Sequence, residues 1–173
     1  MFGKKKKSDV KTLTHPDLGE MHYSAVAWKP DKQPEIVLWD KTYKIDLLFM
    51  ALSEEEKAEG VTLCQVEAFE RFQKTVTAQK DEIEKLILKH IDTDGGDELG
   101  ERIIPRCVSF SRSGECAVEF EDKEEGVNWG DDPEYGFAVF LIPRLIFCPE
   151  EQCVDFMNEC IGMDEIEELN GAW

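Results

Sequence analysis

Two helix start signals lie close together near the middle of the chain, and they constrain the fold more than any other feature. Ser53 is followed by Glu56, and Thr62 is followed by Gln65. Each pair forms a capping box, in which the two side chains satisfy free N–H groups of a first helical turn. Gly60 is expected to end the first helix, which is therefore short. Both helices interrupt the chain between two groups of strand-like segments.

The second start signal predicts the longest helix of the protein, from Thr62 to about Ile91. Its apolar residues recur every three or four positions, so they form one face that a sheet can cover. That face comprises Phe69, Phe72, Val76, Ile83, Leu86, Ile87 and His90. Opposite charges four positions apart on the other side add about 0.2–0.5 kcal/mol each. We therefore expect this helix to pack across one face of a sheet.

Three strand-like segments precede the helices: residues 21–28, 35–39 and 42–50. In the last segment Tyr43, Ile45, Leu47 and Phe49 alternate with more polar residues. This alternation is typical of a strand that buries one face. Only two residues separate the last two segments, and this short break indicates a hairpin.

Four more strand-like segments follow the helices: residues 103–110, 116–121, 135–142 and 145–148. The third is apolar on both faces, which places it at the centre of the sheet. Pro149 suits a first helical turn and predicts a C-terminal helix to about Leu169, interrupted at Gly162. The order of elements predicts an α+β fold: a mostly antiparallel sheet from two hairpin groups, with the long helix packed on one face and a C-terminal helix.

The chain of 173 residues is long enough for one domain with a substantial core. Residues 1–12, with four consecutive lysines, are expected to form a flexible basic tail, and residues 13–173 a single α+β domain. No apolar segment follows the lysines, so they do not begin a secretory signal. The longest apolar run, residues 135–142, is far shorter than the ~20 residues of a membrane-spanning helix. We therefore expect a cytoplasmic protein without membrane contact.

The charge of the chain restricts its partners. Asp and Glu number 38 against 20 Lys and Arg, which gives a formal net charge of −18. A surface this negative repels phosphate backbones, so nucleic acid is not an expected partner. It attracts basic proteins, and the alternative is that the charge serves solubility alone.

Two segments concentrate the acidic residues. Residues 115–134 hold nine acids against one base, Lys123, and residues 150–168 hold eight acids and no base. If both lie on one side of the molecule, they form a surface that recruits a basic partner. Trp129, between two glycines, is either an exposed anchor of that interface or a local core under the loop. The predicted partner-binding residues are Glu119, Glu121, Trp129, Asp131, Asp132 and Glu134.

No local motif predicts catalysis, a metal site or a cofactor. The six cysteines include no C-x-x-C pair, so zinc is not expected, and a reducing cytoplasm would keep them as buried thiols. The loop that begins at Asp92 lacks the glycine and glutamate of a calcium-binding EF-hand loop. One catalytic alternative remains open, a metal-assisted hydrolase. Its ligands would be Asp131, Asp132 and Glu134, with His22 or His90 from elsewhere in the fold.

The segment Trp129-Gly-Asp-Asp-Pro-Glu-Tyr-Gly136, followed by an apolar strand, resembles a bacterial family of unknown function with a Trp-Asp-x-Glu-His-Gly-type turn. Tyr135 stands where that family has histidine. Some relatives of the family are proposed immunity proteins of polymorphic toxin systems. The resemblance thus implies a non-enzymatic protein that neutralises a basic toxin domain. A structural or regulatory module of a larger assembly is the alternative.

Overall fold

The computed structural model describes residues 11–91, 96–124 and 136–170. The strands within these residues are β1 (Thr12–His15), β2 (Gly19–Ser24), β3 (Ala27–Pro30), β4 (Glu35–Leu38), β5 (Lys41–Lys44), β6 (Asp46–Met50), β7 (Ile103–Phe110), β8 (Cys116–Asp122), β9 (Phe137–Ile142) and β10 (Ile146–Pro149). The helices are α1 (Glu54–Glu59), α2 (Leu63–Ala78), α3 (Lys80–Leu88), α4 (Gly96–Arg102), α5 (Glu150–Met157) and α6 (Met163–Asn170).

Eight of these strands form one sheet in the order β1-β2-β3-β6-β7-β8-β9-β10. Every neighbouring pair is antiparallel except β6 and β7, which are parallel. Strands β4 and β5 form a separate two-stranded antiparallel ribbon. The predicted α+β fold with a mostly antiparallel sheet is therefore confirmed. The parallel pair arises because helices α1–α4 connect β6 to β7 and return the chain to the same end of the sheet.

Both predicted capping boxes are present. The Ser53 hydroxyl accepts a hydrogen bond from the Glu56 N–H at the start of α1, and Thr62 and Gln65 make the same arrangement at the start of α2. The predicted single long helix is instead two helices, because Gln79 leaves the helical conformation with φ −110° and ψ 16°. Buried apolar residues continue on both sides of this break, which explains why the sequence shows one unbroken pattern.

Two predicted strands are also divided. Residues 21–28 form the hairpin β2–β3 with Ala25 and Val26 in its turn, rather than one strand. Residues 42–50 break at Ile45, so that β5 joins the small ribbon and β6 joins the large sheet.

Strand β1 begins at Thr12, one residue before the predicted domain boundary. Helix α4 was not predicted, and the C-terminal helix divides into α5 and α6 on either side of residues 158–162.

The first face of the large sheet packs against α2, α3 and the β4–β5 ribbon. Aromatic rings dominate this core: Phe49 stacks on Phe110 with ring centroids 4.9 Å apart, and Phe72 meets Phe110 edge-on. Burial of such rings contributes about 1.5–3 kcal/mol each. The long helical segment, α2 with α3, therefore covers one face as predicted.

The second face of the large sheet packs against α5 and α6, which contact β8, β9 and β10. Its core is smaller and includes Ala117, Ala138, Phe140 and Phe156. Because α5 ends at Met157, the part of this face formed by β3 and β6 borders open clefts. No helix of the described residues combines the length and the apolar character needed to cross a bilayer.

Candidate functional site

Two adjoining clefts open on the second face, around the C-terminal end of α5. We call them the C-terminal cleft, of about 370 Å³, and the Glu119 cleft, of about 180 Å³. Met50 from β6 and Met157 from α5 line both clefts, so the two are neighbours. Both methionines belong to the second core, which continues into the floor of each cleft.

The C-terminal cleft combines an apolar floor with an acidic rim. Its apolar lining comes from Met50, Leu52, Phe156, Met157 and Ile161, and Glu159 and Glu165 stand beside it. An apolar centre with a charged rim is the usual anatomy of a protein-binding surface.

The cation in the lining of this cleft does not neutralise the rim. The Arg112 guanidinium donates to the Gly60 carbonyl at 2.7 Å and pairs with Glu59. The positive charge of Arg112 is therefore already paired, with Glu59. It does not neutralise the carboxylates of Glu159 and Glu165 at the rim of the cleft.

Glu159 is held in a backbone conformation that favours glycine. Its φ is 59°, and it follows the last turn of α5, where the Cys160 N–H donates to the Asp155 carbonyl at 2.8 Å. This position after a helix is usually occupied by glycine, because a Cβ is strained there. Strained non-glycine residues concentrate at functional sites. Glu159 is thus an acid placed where stability alone favours another residue.

The exposed acids of α6 and of the turn before it have few cationic partners. Among the described ion pairs, the Arg144 guanidinium lies 2.5 Å from the Glu167 carboxylate. Four other exposed acids lie within ten residues of Glu167 in the sequence. None of the ion pairs in the described part of the chain involves them: Glu159, Asp164, Glu165 and Glu168. This layer therefore presents uncompensated negative charge around the C-terminal cleft.

The Glu119 cleft contains a buried carboxyl group. Glu119 lies in the centre of β8, is 8% exposed, and accepts a hydrogen bond from the Ser109 hydroxyl at 2.5 Å. Burial raises the pKa of Glu119 above that of an exposed glutamate, against hydrogen bonds from Ser109 and Cys107 that favour its charged form. The turn residue Ala25, with φ 56°, forms part of the opposite wall.

A second buried acid fixes the start of α5. The Glu150 carboxylate, 4% exposed, accepts a hydrogen bond from the Gly136 N–H at 2.7 Å and pairs with Arg106. Arg106 reaches it because the β7–β8 register shifts between Pro105 and Cys107, a bulge that re-aims the intervening side chain. This network sets where α5 begins and hence where both clefts lie.

The structure separates the residues predicted to bind a partner. Glu121 is exposed at the end of β8, as an acidic surface requires. Glu119 is buried, so its carboxylate does not belong to that exposed surface, and its role in binding a partner stays a prediction. Trp129, Asp131, Asp132 and Glu134 lie outside the described residues.

Sequence reasoning singled out the second acidic segment but none of its members. Glu159 and Glu165 matter because α5 ends at Met157 and the following turn brings them to one cleft. The only local signal was an acid two positions after the last residue of a helix, without the usual glycine. Nothing in the sequence alone distinguishes that position from its acidic neighbours.

The two histidines named for the alternative hydrolase lie on opposite faces of the large sheet. His22 bonds Asp31 at 2.9 Å on the second face, whereas His90 stacks on Phe147 at 3.9 Å on the first, so at most one of them can join a common site. Within residues 11–91, 96–124 and 136–170, no three His, Cys, Asp or Glu side chains are grouped to hold a metal ion.

All six cysteines are free thiols. Cys116, Cys148 and Cys153 are buried, as predicted, and Cys107 is partly buried, whereas Cys64 and Cys160 are exposed. Burial raises the pKa of Cys148 to about 12, so it stays a thiol at neutral pH. The buried cysteines therefore act as small apolar core residues.

Comparison with family models, curated proteins and solved structures found no match for this chain.

Proposed function

We propose that this protein is a non-catalytic binding protein that recognises a basic protein through the C-terminal cleft. The observation that carries the proposal is the pairing of an apolar floor with the uncompensated acids Glu159 and Glu165. The net charge of −18 extends the attraction beyond direct contact and accelerates encounter with a cationic partner.

The resemblance of residues 129–136 to a family with proposed immunity proteins suggests the biological context. In that context the partner is a basic toxin domain, and binding neutralises it by covering its functional surface. Glu121, exposed at the end of β8, would be a further contact for a basic partner, and the residues predicted in the 129–134 segment stay predictions. The proposal needs no catalytic group in this chain.

The proposal is tested by removing charge from the rim. The probe is a purified basic toxin domain, titrated by calorimetry at 50 and 300 mM NaCl. Glu159→Gln with Glu165→Gln is expected to weaken binding about 10-fold at low salt, because interfacial charges contribute roughly 0.5–1 kcal/mol each. The difference from the unchanged protein should shrink at high salt, where charges are screened.

A matched control carries the same loss of charge on the opposite side of the molecule. Glu67 and Glu70 are exposed on α2, which covers the first face. Glu67→Gln with Glu70→Gln is expected to leave affinity within about twofold, since an exposed charge beyond the Debye length is screened. Equal losses in both double variants would show that only net charge matters and would contradict a localised site.

Glu159→Gly separates function from stability. Glycine relieves the strain of φ 59°, so the free energy of unfolding is expected to rise by about 0.5–1 kcal/mol. Affinity for the basic partner is expected to fall, because a rim carboxylate is lost. Urea unfolding and calorimetry measure the two quantities. A variant that is more stable and binds equally well would remove Glu159 from the site.

A further inference from the structure

The Glu119 cleft holds a carboxyl group that takes part in no described ion pair, although Lys29 lines the same cleft. None of the ion pairs in the described part of the chain involves Glu119. Arg106, whose charge reaches it, is paired with Glu150 instead. An acid that is 8% exposed and forms no described ion pair costs folding free energy, because burial disfavours its charged form. Such a group in a cleft is a candidate for binding.

The walls of the cleft suit an unbranched alkyl chain. Leu48 forms part of the floor, Ala27 and Val26 come from the β2–β3 hairpin, and Val154 and Met157 come from α5. The cleft volume of about 180 Å³ exceeds the roughly 150 Å³ in which an apolar cavity holds benzene. A four-carbon stem can therefore lie between these walls with a polar end at Glu119.

We propose that the Glu119 cleft receives a lysine side chain of the basic partner, with Glu119 as the counter-ion of its ammonium group. This inference rests on the proposed function, since the Glu119 cleft adjoins the C-terminal cleft through Met50 and Met157. A protein docked on the acidic rim would thus reach both clefts. Anchors that fill such pockets dominate the affinity of protein interfaces.

Lysine fits this cleft better than arginine. The ammonium is a compact charge on a flexible stem, whereas the guanidinium is a planar fork that requires several acceptors. One oxygen of Glu119 is already bonded to Ser109. The apolar walls cover the methylene stem of lysine while the charged end meets the carboxylate.

Binding should release a proton. The ionisable groups that face Glu119 are Cys107 and Arg106 from β7, Lys29 from β3, Cys148 from β10, and Cys153 and Glu150 from α5. The thiols remain neutral because burial raises their pKa. Glu119, with a raised pKa, is the group that titrates on binding. The ammonium favours its charged form, so affinity should rise with pH as free Glu119 loses its proton.

The probe for this inference is n-butylammonium, which reproduces the side chain of lysine. Binding is followed by NMR through the methyl signals of Leu48, Met50 and Met157 in the complete chain. The expected result is saturable binding that is stronger at pH 8 than at pH 4.5. Neutral n-butanol is expected to bind at least 10-fold more weakly than the amine at pH 8.

Matched substitutions locate the counter-ion. Glu119→Gln keeps the shape and the Ser109 bond and is expected to lose at least 10-fold in affinity for n-butylammonium. Glu67→Gln removes the same charge at an exposed position of α2, which covers the first face, and should change affinity less than twofold. If Glu119→Gln does not fold, Val154→Phe fills the cleft from α5 without touching Glu119, and it should abolish binding. Lys29→Met removes a like charge and should strengthen binding.

Different outcomes separate this inference from the proposed function. If Glu159→Gln with Glu165→Gln weakens partner binding but Glu119→Gln does not, the proposed function stands and the lysine anchor is wrong. If n-butylammonium binding depends on Glu119 but no basic protein binds, the proposed function is wrong. The inference that a partner's lysine occupies the Glu119 cleft is then wrong as well. Equal binding of n-butanol, or unchanged affinity in Glu119→Gln, also overturns the inference.

Discussion

Replacing Gly136 with alanine is expected to lower the free energy of unfolding by about 3–5 kcal/mol. A Cβ built on Gly136 would lie 2.0 Å from the carbonyl oxygen of Phe120 in the neighbouring strand β8. That oxygen belongs to the backbone, so the strands themselves must separate. Phe120 and Phe137 are fully buried and stacked at 5.2 Å, and separation would disrupt this packing.

The same substitution should disturb the start of α5. Gly136 and Glu150 are joined twice: the Gly136 N–H donates to the Glu150 carboxylate at 2.7 Å, and the Glu150 N–H donates to the Gly136 carbonyl at 3.2 Å. Urea unfolding followed by circular dichroism measures the loss of stability. Because α5 forms a wall of both clefts, n-butylammonium binding should weaken even in the folded fraction.

Gly162→Ala is the matched control. Apart from the atoms of Gly162 and its two chain neighbours, no atom lies within 4 Å of the position that the Cβ would occupy. Stability is therefore expected to change by less than about 1 kcal/mol, with a gain if the unfolded chain loses entropy. Comparable destabilisation by both alanines would show that close approach to Phe120 is not the cause.

Gln65→Leu is expected to lower the free energy of unfolding by about 2–5 kcal/mol. The buried amide of Gln65 donates to the carbonyls of Met50 and Phe110, both at 3.0 Å. These residues end the two parallel strands β6 and β7. Leucine has a similar volume but no donor, so two buried carbonyls lose their partners at about 1–3 kcal/mol each.

Two further variants isolate the hydrogen bonds. Gln73→Leu places the same change at an exposed position of the same helix, and it should alter stability by less than about 0.5 kcal/mol. Gln65→Glu retains an acceptor for the Thr62 N–H but loses both amide donors, so it should be at least as harmful as leucine. Thermal unfolding of the set decides the matter. Full stability in Gln65→Glu would assign the role of Gln65 to the helix cap alone.

The sequence allowed the helix starts and the order of strands to be predicted because both depend on near neighbours. A capping box needs only residues three positions apart, and Ser53 and Thr62 each have one. The break at Ile45 could not be predicted, since the alternation of buried residues continues through it while the partner strand changes. The break at Gln79 likewise lacks the glycine or proline that normally marks one.

The candidate site was only partly predictable for a related reason. Glu119 and Glu121 are two residues apart on β8, so alternation gives them the same face. Their exposure differs because Glu119 lies beneath the end of α5, whereas Glu121 lies near the end of the strand. Burial of an acid depends on a helix that begins about thirty residues later in the chain, and local pattern does not contain that information.

The turn motif that suggested a family acquires a physical explanation at one position. Gly136 closes that motif, and it must be glycine because the Phe120 carbonyl occupies the space of a side chain. A glycine required for packing is informative about fold rather than about binding. The immunity role therefore depends on the acidic clefts and on partner measurements, and it stays a prediction.

The parallel pairing of β6 and β7 determines when the sheet is completed during synthesis. Strands β1, β2, β3 and β6 come from residues 12–50, and β7–β10 come from residues 103–149. At about 5–20 residues per second, a ribosome would leave the β6 edge without its neighbour for roughly 3–10 s. An apolar strand edge open for that long can pair with another nascent chain. Helix α2 emerges in this interval, and Gln65 can bind the Met50 carbonyl before β7 arrives. The amount of folded protein that a cell produces should therefore depend on how closely nascent copies of this chain are spaced.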